Sequence, residues 1–264
     1  MMDKRQLPVG FMDSGVGGIS VLKSTIELLP NEDFIYYGDS LHAPYGTKSV
    51  DEIKQLTFNV VDYLLSKGIK ALVVACNTAT SAAINDLRNL YPDMPIVGIE
   101  PAIKPAVVTN QGGRIIVMAT PMTIKQDKFH HLLAQYNDQA EIVPLGCEHL
   151  MEFVEEGILS GSQLEAYFDE HLQPYITDNT ETIVLGCTHY PFLYPYLKKY
   201  LNNDDIHIID GSYGTAMELK RRLEASNLLN NNHPGNIIIE NSLPSSNIID
   251  LSWKLLNMPT YEKC

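Results

Sequence analysis

With 264 residues, 45% of them hydrophobic and 19% charged, the chain can bury a full core as one large domain or two of ordinary size. No apolar run approaches the roughly 20 residues that a bilayer span requires, so no integral membrane protein is expected. The net charge of −13 would repel phosphate backbones, and no cluster of Lys and Arg offsets it, so nucleic acid is not an expected partner.

Short apolar, β-branched segments bounded by turn residues predict buried parallel strands. Longer segments with helical spacing lie between them, and in residues 50–66 apolar side chains recur at intervals of three and four. This alternation indicates an α/β fold with parallel sheets. The predicted strands after the first two cover residues 71–75, 95–99, 114–119, 140–145, 182–186, 206–210 and 236–240.

The segment GFMDSGVGGIS places Asp13 at the end of a short strand, followed by Ser14 and three glycines. The glycines permit close approach of the backbone to a ligand. The alternative is a glycine-rich turn in which Asp13 caps a helix. The glycine spacing matches neither GxGxxG nor a P-loop, so neither a dinucleotide nor ATP is supported, and a small anionic ligand remains.

A polar and aromatic loop, YYGDSLHAPYG, follows the end of the next predicted strand. It contains Asp39, His42, Tyr45 and Gly46. Because this loop would lie on the same face of the sheet as Asp13, it is a second candidate for ligand contact. The alternative is a plain loop.

Residues 49–79 and 160–190 align at a constant offset without gaps, which indicates an internal duplication. In the first copy a predicted strand runs into CNT at Cys76, and in the second a strand runs into CTH at Cys187. Each cysteine therefore follows the carboxyl end of a strand, where ligands of open α/β sheets bind.

The cysteines are expected to be reduced and to serve either packing or reactivity. All four lie far apart without a CxxC pair, and Lys4 and Arg5 precede no signal-peptide core, so a cytoplasmic protein without disulfides or structural zinc is expected. A helix N-terminus would lower the pKa of a thiol, which makes Cys76 and Cys187 candidate nucleophiles or bases. The alternative for each is a small buried hydrophobic residue.

Polar residues after both strands favour one shared site. They are Asn77 and Thr78 after the first cysteine, and Thr188 and His189 after the second. Glu155 lies in a helix-like run, residues 149–157, from which a carboxylate could orient an imidazole.

Five motifs resemble, in this order, those of bacterial glutamate racemases: FMDSGVGG, YYGDSxxxPYG, VVACNTA, VGIEPA and VLGCTHYP. The match extends from Phe11 to about Asp210, and it is specific because both strand-end cysteines occur together with DSGVGG. The resemblance implies two α/β domains related by approximate twofold symmetry, each with a mainly parallel sheet flanked by helices. We expect the first domain at residues 1–98 and 211–264, the second at 99–210, and the active site in the cleft between them.

The resemblance also implies roles for individual residues. Cys76 and Cys187 would be the two acid/base residues. Asp13 would lie near the first of them, and His189 with Glu155 near the second. The residues expected to hold the substrate are Asp13, Ser14, Asp39, Tyr45, Gly46, Asn77, Thr78, Thr120, Thr123, Thr188 and His189.

Three positions depart from the family pattern. Ala119 replaces the glycine before Thr120. The loop that carries a basic Arg in most family members reads LHA here, at residues 41–43. The family segment ACPKFVP is replaced in this chain by GCEHLMEF, at residues 146–153. The position of Glu155 depends on aligning this last segment.

The activity implied by the resemblance is interconversion of L-glutamate and D-glutamate without pyridoxal phosphate, metal or nucleotide, supplying D-glutamate for peptidoglycan. Racemisation removes a proton from one face of Cα and delivers one to the other, and one side chain cannot easily reach both faces. By the resemblance, Cys76 removes the proton from D-glutamate and Cys187 removes it from L-glutamate. Domain closure on binding and a homodimer are expected as well.

Three alternatives stay open at this point. A racemase of the same superfamily acting on aspartate or another amino acid would share both thiols. A binding protein without catalysis would also suit a cleft between two α/β halves. The third alternative is a regulatory interaction protein, but the sequence contains no cluster of basic residues that would support it.

Overall fold

The computed structural model describes residues 3–230, 234–243 and 245–259, so Cys264 lies outside the described residues. Within them, nine strands form a five-stranded and a four-stranded sheet, and every strand pairing is parallel. The seven strands that were predicted with both bounds are each confirmed to within two residues at either end. The strands are β1 (Val9–Asp13), β2 (Phe34–Gly38), β3 (Ala71–Val74), β4 (Ile96–Gly98), β5 (Arg114–Ala119), β6 (Glu141–Gly146), β7 (Thr180–Leu185), β8 (His207–Asp210) and β9 (Ile237–Asn241).

The two sheets use separate stretches of the chain. The first has the order β4-β3-β1-β2-β9, and the second has the order β6-β5-β7-β8. The chain thus leaves the first sheet after β4 and returns to it with β9. The domain boundaries, residues 1–98 with 211–264 and residues 99–210, are compatible with this strand order and stay a prediction.

The α-helices flank the sheets, and within the described residues none of them is both long and apolar enough to span a bilayer. They are α1 (Ile19–Leu28), α2 (Val50–Ser66), α3 (Asn77–Leu90), α4 (Ile103–Thr109), α5 (Pro121–Lys125), α6 (Asp127–Ala134), α7 (Leu150–Glu155), α8 (Ser162–His171), α9 (Tyr194–Leu201), α10 (Ser212–Ala225) and α11 (Ser246–Leu256).

Alternation along the strands builds a core on each face of the first sheet. On β3, Leu72 and Val74 pack into a core with α2 and α3, whereas Val73 packs into the core on the other face. That other core also contains Phe11 of β1 and Ile116 of β5, so a continuous apolar cluster joins the two sheets. The far face of the second sheet packs against α4 and α6.

The helix predicted at residues 50–66 is confirmed with these bounds. A capping box fixes its start, because Ser49 accepts from the Glu52 N–H while the Glu52 carboxylate accepts from the Ser49 N–H. The helix aligned with it in the second copy is shorter and ends at His171. Pro174 accounts for the difference, since it lacks the N–H that a continuing helix would need.

A buried ion pair ties the N-terminal segment and the region before β9 to the first sheet. Lys70 pairs with Glu32, and their side chains are only 1% and 2% exposed. Lys70 also donates to the Arg5 carbonyl, and Glu32 accepts from the Asn230 N–H at 2.8 Å. Removing one partner would leave the other charge buried without its counter-ion.

We therefore expect Lys70→Met to lower the free energy of unfolding by about 3–5 kcal/mol in denaturant titrations. Lys54→Met is the matched control, because Lys54 pairs with Asp86 at the surface, with side chains 37% and 47% exposed. Such an exposed pair contributes about 0–1 kcal/mol. Equal losses in the two variants would contradict a stabilising role for the buried pair.

Candidate active site

Loops that follow strands of both sheets border a cavity of about 250 Å³. This volume lies just below the range of roughly 300–1,000 Å³ found for drug-sized ligands, so the cavity suits a molecule the size of an amino acid. Cys76, after β3, and Cys187, after β7, line the same cavity. Other sequence-predicted residues that line it are Ser14, Tyr45, Gly46, Asn77, Thr78, Thr120, Thr188 and His189.

A second cavity, of about 280 Å³, lies beside α1, α10 and α11. Apolar side chains and prolines make up much of its lining, and none of the sequence-predicted site residues borders it. Because it contains neither cysteine, the candidate chemistry belongs to the first cavity.

Cys76 caps the N-terminus of α3 and is 5% exposed. Its sulfur accepts from the Ala79 N–H at 3.4 Å and lies 3.5 Å from Oγ of Ser14. Burial, together with the charge of Asp13, raises the pKa of the Cys76 thiol to about 12. The Ala79 N–H at the start of α3 does act to lower this pKa, but loss of solvation outweighs it, so the expected net lowering was wrong.

Cys187 begins a chain of three contacting side chains. Its sulfur lies 3.6 Å from Nδ1 of His189, and Nε2 of His189 lies 2.7 Å from Oε1 of Glu155. No α-helix begins at Cys187, because a short 3-10 helix, Tyr190–Leu193, follows instead. The neighbouring imidazole, rather than a helix N-terminus, is therefore the polar group next to this thiol.

His189 is expected to be an imidazolium at neutral pH. Burial opposes its protonation, but hydrogen bonds to Cys187 and Glu155 outweigh burial and raise the pKa of His189 well above its usual value. For Glu155, burial acts to raise the pKa, yet the hydrogen bond and charge of His189 lower it overall. An imidazolium carries N–H groups on both ring nitrogens, so His189 can donate to the thiol and to the carboxylate at once.

The glycines after Asp13 make room for this pair rather than for a ligand. A Cβ at Gly15 would lie 1.9 Å from Oε1 of Glu155, and a Cβ at Gly17 would lie 2.3 Å from Nδ1 of His189. Glu155 also accepts from the Val16 N–H at 2.6 Å. The expected close approach of the backbone therefore exists, but its partners are the side chains of Glu155, at the end of α7, and His189, after β7.

Asp13 is fully buried and does not border the cavity. Its carboxylate accepts from the Gly15 N–H at 3.0 Å and from the Thr188 hydroxyl at 3.1 Å, and burial raises its pKa. The alternative that Asp13 caps a helix was wrong, since Gly18 occupies the cap position of α1. Asp13 instead joins the end of β1 to the loop after β7.

Asp39 also lies behind the cavity wall. Its carboxylate accepts from the Tyr45 hydroxyl at 2.7 Å and contacts Nδ1 of His42 at 2.8 Å. Tyr45 and Gly46 border the cavity, and a Cβ at Gly46 would lie 3.0 Å from Cβ of Thr120. Asp39 thus holds the loop that bears Tyr45, while that loop packs closely against the second sheet's side.

Three threonine hydroxyls form a cluster beside the cavity. Thr78 contacts Thr120 at 3.0 Å and Thr123 at 3.2 Å, and Thr120 contacts Thr123 at 2.9 Å. Thr123 itself is buried and does not line the cavity. Next to them, Asn77 lines the cavity, and both its amide atoms are buried without a hydrogen-bond partner among the residues that the structure describes. An unpaired buried amide costs about 1–3 kcal/mol, which a polar ligand would recover.

A family model described as Asp/Glu/Hydantoin racemase matches residues 9–216. The chain belongs to the Asp/Glu/hydantoin racemase family. The resemblance drawn from the sequence motifs is thereby confirmed. The predicted α/β fold, with parallel sheets flanked by helices, is confirmed as well, because similar racemase structures share it.

Individual relatives of this racemase-family chain match along nearly all of its length. A glutamate racemase of Clostridium botulinum (strain Langeland / NCTC 10281 / Type F) is 57% identical over 252 residues, which cover 95% of this chain and 97% of the relative. The crystal structure of a glutamate racemase isoform from Bacillus anthracis superposes with a TM-score of 0.87 at 31% identity, covering 96% and 95% of the two chains. A Francisella tularensis glutamate racemase in complex with D-glutamate has a TM-score of 0.83 at 28% identity, with the same coverage.

The cavity of this family member also contains side chains that the sequence patterns did not single out. The position of Cys147 could have identified it, because it directly follows β6 just as the other two cysteines follow their strands. Burial raises the pKa of the Cys147 thiol to about 12.

Within the described part of the chain, no group of three or more His, Cys, Asp and Glu could hold a metal ion. The other unpredicted residues with polar or charged groups in the lining include Lys125, Glu148, His149 and Glu152.

We expect Glu155→Gln to lower the pKa of His189, because the neutral amide removes the charge that stabilises the imidazolium. The titration can be followed by NMR of ¹⁵N-labelled histidine rings, and the variant should lose the ring proton at lower pH than the parent. Glu152→Gln is the matched control. Its carboxylate contacts Nδ1 of exposed His149 at 2.8 Å and raises the pKa of that residue.

In the control variant, the titration of His149 should move to lower pH while that of His189 stays in place. An unchanged His189 titration in Glu155→Gln would contradict the assignment of the 2.7 Å contact as the source of the raised pKa.

Proposed function

We propose that this protein interconverts L-glutamate and D-glutamate by proton transfer at Cα between two thiols, without a cofactor. The observation that carries the proposal is that Cys76 and Cys187, each following a strand of a different sheet, line one cavity. A proton acceptor and a proton donor in the same small cavity satisfy the need to reach both faces of Cα.

Glutamate is the proposed substrate because the similar proteins carry that name, and because the cavity supplies polar groups suited to an amino acid. The Francisella tularensis structure contains D-glutamate. In this chain, the Asn77 amide, which has no partner among the described residues, and the hydroxyls of Ser14 and Thr78 border the cavity. Neutral donors of this kind can hold a carboxylate and the negative charge that develops on it when the α-proton leaves.

In the proposed cycle, Cys76 as thiolate removes the α-proton of D-glutamate, and Cys187 as thiol delivers its proton to the opposite face. The product is L-glutamate, and the enzyme then holds a thiol at Cys76 and a thiolate at Cys187, which is the state that accepts L-glutamate. The raised pKa of Cys76 favours the thiol form of this residue in the absence of substrate.

Asp13 and Glu155 are proposed as positioning residues, because neither borders the cavity. Glu155 acts through His189, which contacts Cys187. Asp13 fixes Thr188 and raises the pKa of Cys76 by its charge. The positive ammonium of a bound amino acid would offset this charge and make the Cys76 thiolate easier to form.

Supply of D-glutamate for peptidoglycan is the proposed role in the cell, and a cytoplasmic homodimer the proposed form. A racemase for aspartate or another amino acid is the nearest competing function, since it would use the same two thiols. A panel of amino acids, each tested for loss of optical activity, distinguishes these possibilities.

We expect Cys76→Ala and Cys187→Ala each to reduce racemisation of both glutamate enantiomers by at least about 10³-fold, because each removes one of two obligatory proton carriers. Circular dichroism of purified protein with a single enantiomer measures the rate. Cys147→Ala is the matched control, since this third buried thiol lines the same cavity; it should stay within about tenfold of the parent.

Near-native racemisation by either of the first two variants would rule out the two-thiol mechanism. A loss in Cys147→Ala as large as theirs would show that truncation of any cavity thiol disables the site.

A further inference from the structure

Further hydrogen bonds continue from the second oxygen of the Glu155 carboxylate. Oε1 of Glu155 lies 2.7 Å from Nε2 of His189, whereas Oε2 accepts from the Ser40 hydroxyl at 3.1 Å. Oγ of Ser40 accepts in turn from Nδ2 of Asn241 at 2.9 Å. Asn241 ends β9, an edge strand of the first sheet, so these contacts connect that edge with the imidazole beside Cys187.

The direction of these hydrogen bonds follows from their partners. The amide oxygen of Asn241 accepts from the Leu243 N–H at 2.9 Å, which leaves the amide nitrogen to face Ser40. A serine hydroxyl has one proton, and because Ser40 accepts from Asn241, that proton is available for Glu155. The Asn241 amide thus directs the Ser40 proton towards the Glu155 carboxylate.

Both oxygens of Glu155 are held, and its side chain is only 13% exposed. Oε1 accepts from the Val16 N–H at 2.6 Å in addition to its contact with His189. Among the described residues, Ser40 is the donor to Oε2, and it acts to lower the pKa of Glu155. Without this donor the carboxylate could turn, and its contact with the imidazole would weaken.

We propose that Ser40 and Asn241 are positioning residues for proton transfer at Cys187. We call these two residues the carboxylate anchor. By fixing the Glu155 carboxylate, the anchor holds the His189 ring with Nδ1 3.6 Å from the Cys187 sulfur. This inference rests on the proposed function, in which Cys187 exchanges a proton with the Cα of L-glutamate.

The carboxylate anchor should affect one thiol and not the other. The sulfur of Cys76 contacts Ser14 and the Ala79 N–H, and neither contact includes the anchor. A loosened imidazole should therefore raise the barrier for proton transfer at Cys187 and leave the barrier at Cys76 unchanged.

Deuterium at Cα reveals which barrier has changed. The two enantiomers have equal free energy, so kcat/KM falls equally in both directions whichever thiol is impaired. If transfer at Cys187 is slowed, breaking the Cα bond of L-glutamate limits the rate, and deuterated L-glutamate should show a larger isotope effect on kcat/KM. Deuterated D-glutamate should show a smaller one, because its bond breaks at Cys76.

The test measures both isotope effects in Ser40→Ala, Asn241→Asp and Ser40→Thr. Ser40→Ala removes the donor to Glu155, and in Asn241→Asp the introduced carboxylate would draw the Ser40 proton away from Glu155. Both should lower kcat/KM about three- to thirtyfold and change the two isotope effects in opposite directions. Ser40→Thr keeps a hydroxyl and should retain the isotope effects of the parent. A reduced folded fraction would leave these ratios unchanged.

Ser242→Ala is the matched control. Oγ of Ser242 accepts from the Leu41 N–H at 2.9 Å, so it holds the same loop as the anchor without contacting Glu155. Its isotope effects should match the parent.

Two outcomes overturn the proposal. One is that the isotope effects in Ser40→Ala and Asn241→Asp stay unchanged or move in the reverse sense. The other is that Ser242→Ala changes them equally, because placement of the loop alone would then explain the effect. Absence of glutamate racemisation by the parent protein would instead overturn the proposed function.

Discussion

Buried hydrogen bonds between the ends of the two sheets determine where the reactive side chains lie. Asp13 is fully buried at the end of β1, and one of the donors to its carboxylate is the Thr188 hydroxyl after β7. Glu155, from α7, accepts in turn from the backbone that follows β1. Because each unpaired buried polar group costs about 1–3 kcal/mol, the chain keeps these strand ends in contact. The cavity that contains both thiols lies beside that contact.

The same burial makes the two thiols unequal. Around Cys76, loss of solvation and the charge of Asp13 raise the pKa to about 12, so this thiol keeps its proton at neutral pH. Cys187 instead lies beside His189, where Glu155 helps to hold the imidazole in its charged form. The proposed mechanism needs one thiol and one thiolate at a time, and the raised pKa of Cys76 favours the thiol form of this residue before substrate binds. Binding of an ammonium group near Asp13 would reduce the difference.

Local patterns were sufficient for the elements of the fold, but not for the contacts between them. The strands and the helix at residues 50–66 follow from apolar periodicity, which depends only on neighbours along the chain. The role of Gly15 could not be predicted, because the Glu155 carboxylate that it accommodates comes from a segment 140 residues away in the sequence. The raised pKa of Cys76 depends likewise on burial by distant parts of the chain.

The most direct test of the two-thiol account is the origin of the proton that the product receives. L-glutamate is converted in deuterium oxide, and at early times the two enantiomers are separated and their Cα deuterium is measured by mass spectrometry. In the proposed cycle the Cys76 thiol has exchanged with solvent and delivers deuterium, so the D-glutamate formed should contain one solvent deuterium at Cα. Cys187 holds only the hydrogen that it removed and can return only that hydrogen, so the remaining L-glutamate should contain almost no deuterium. D-glutamate that retains the original hydrogen would contradict the account, since one base would then have served both faces.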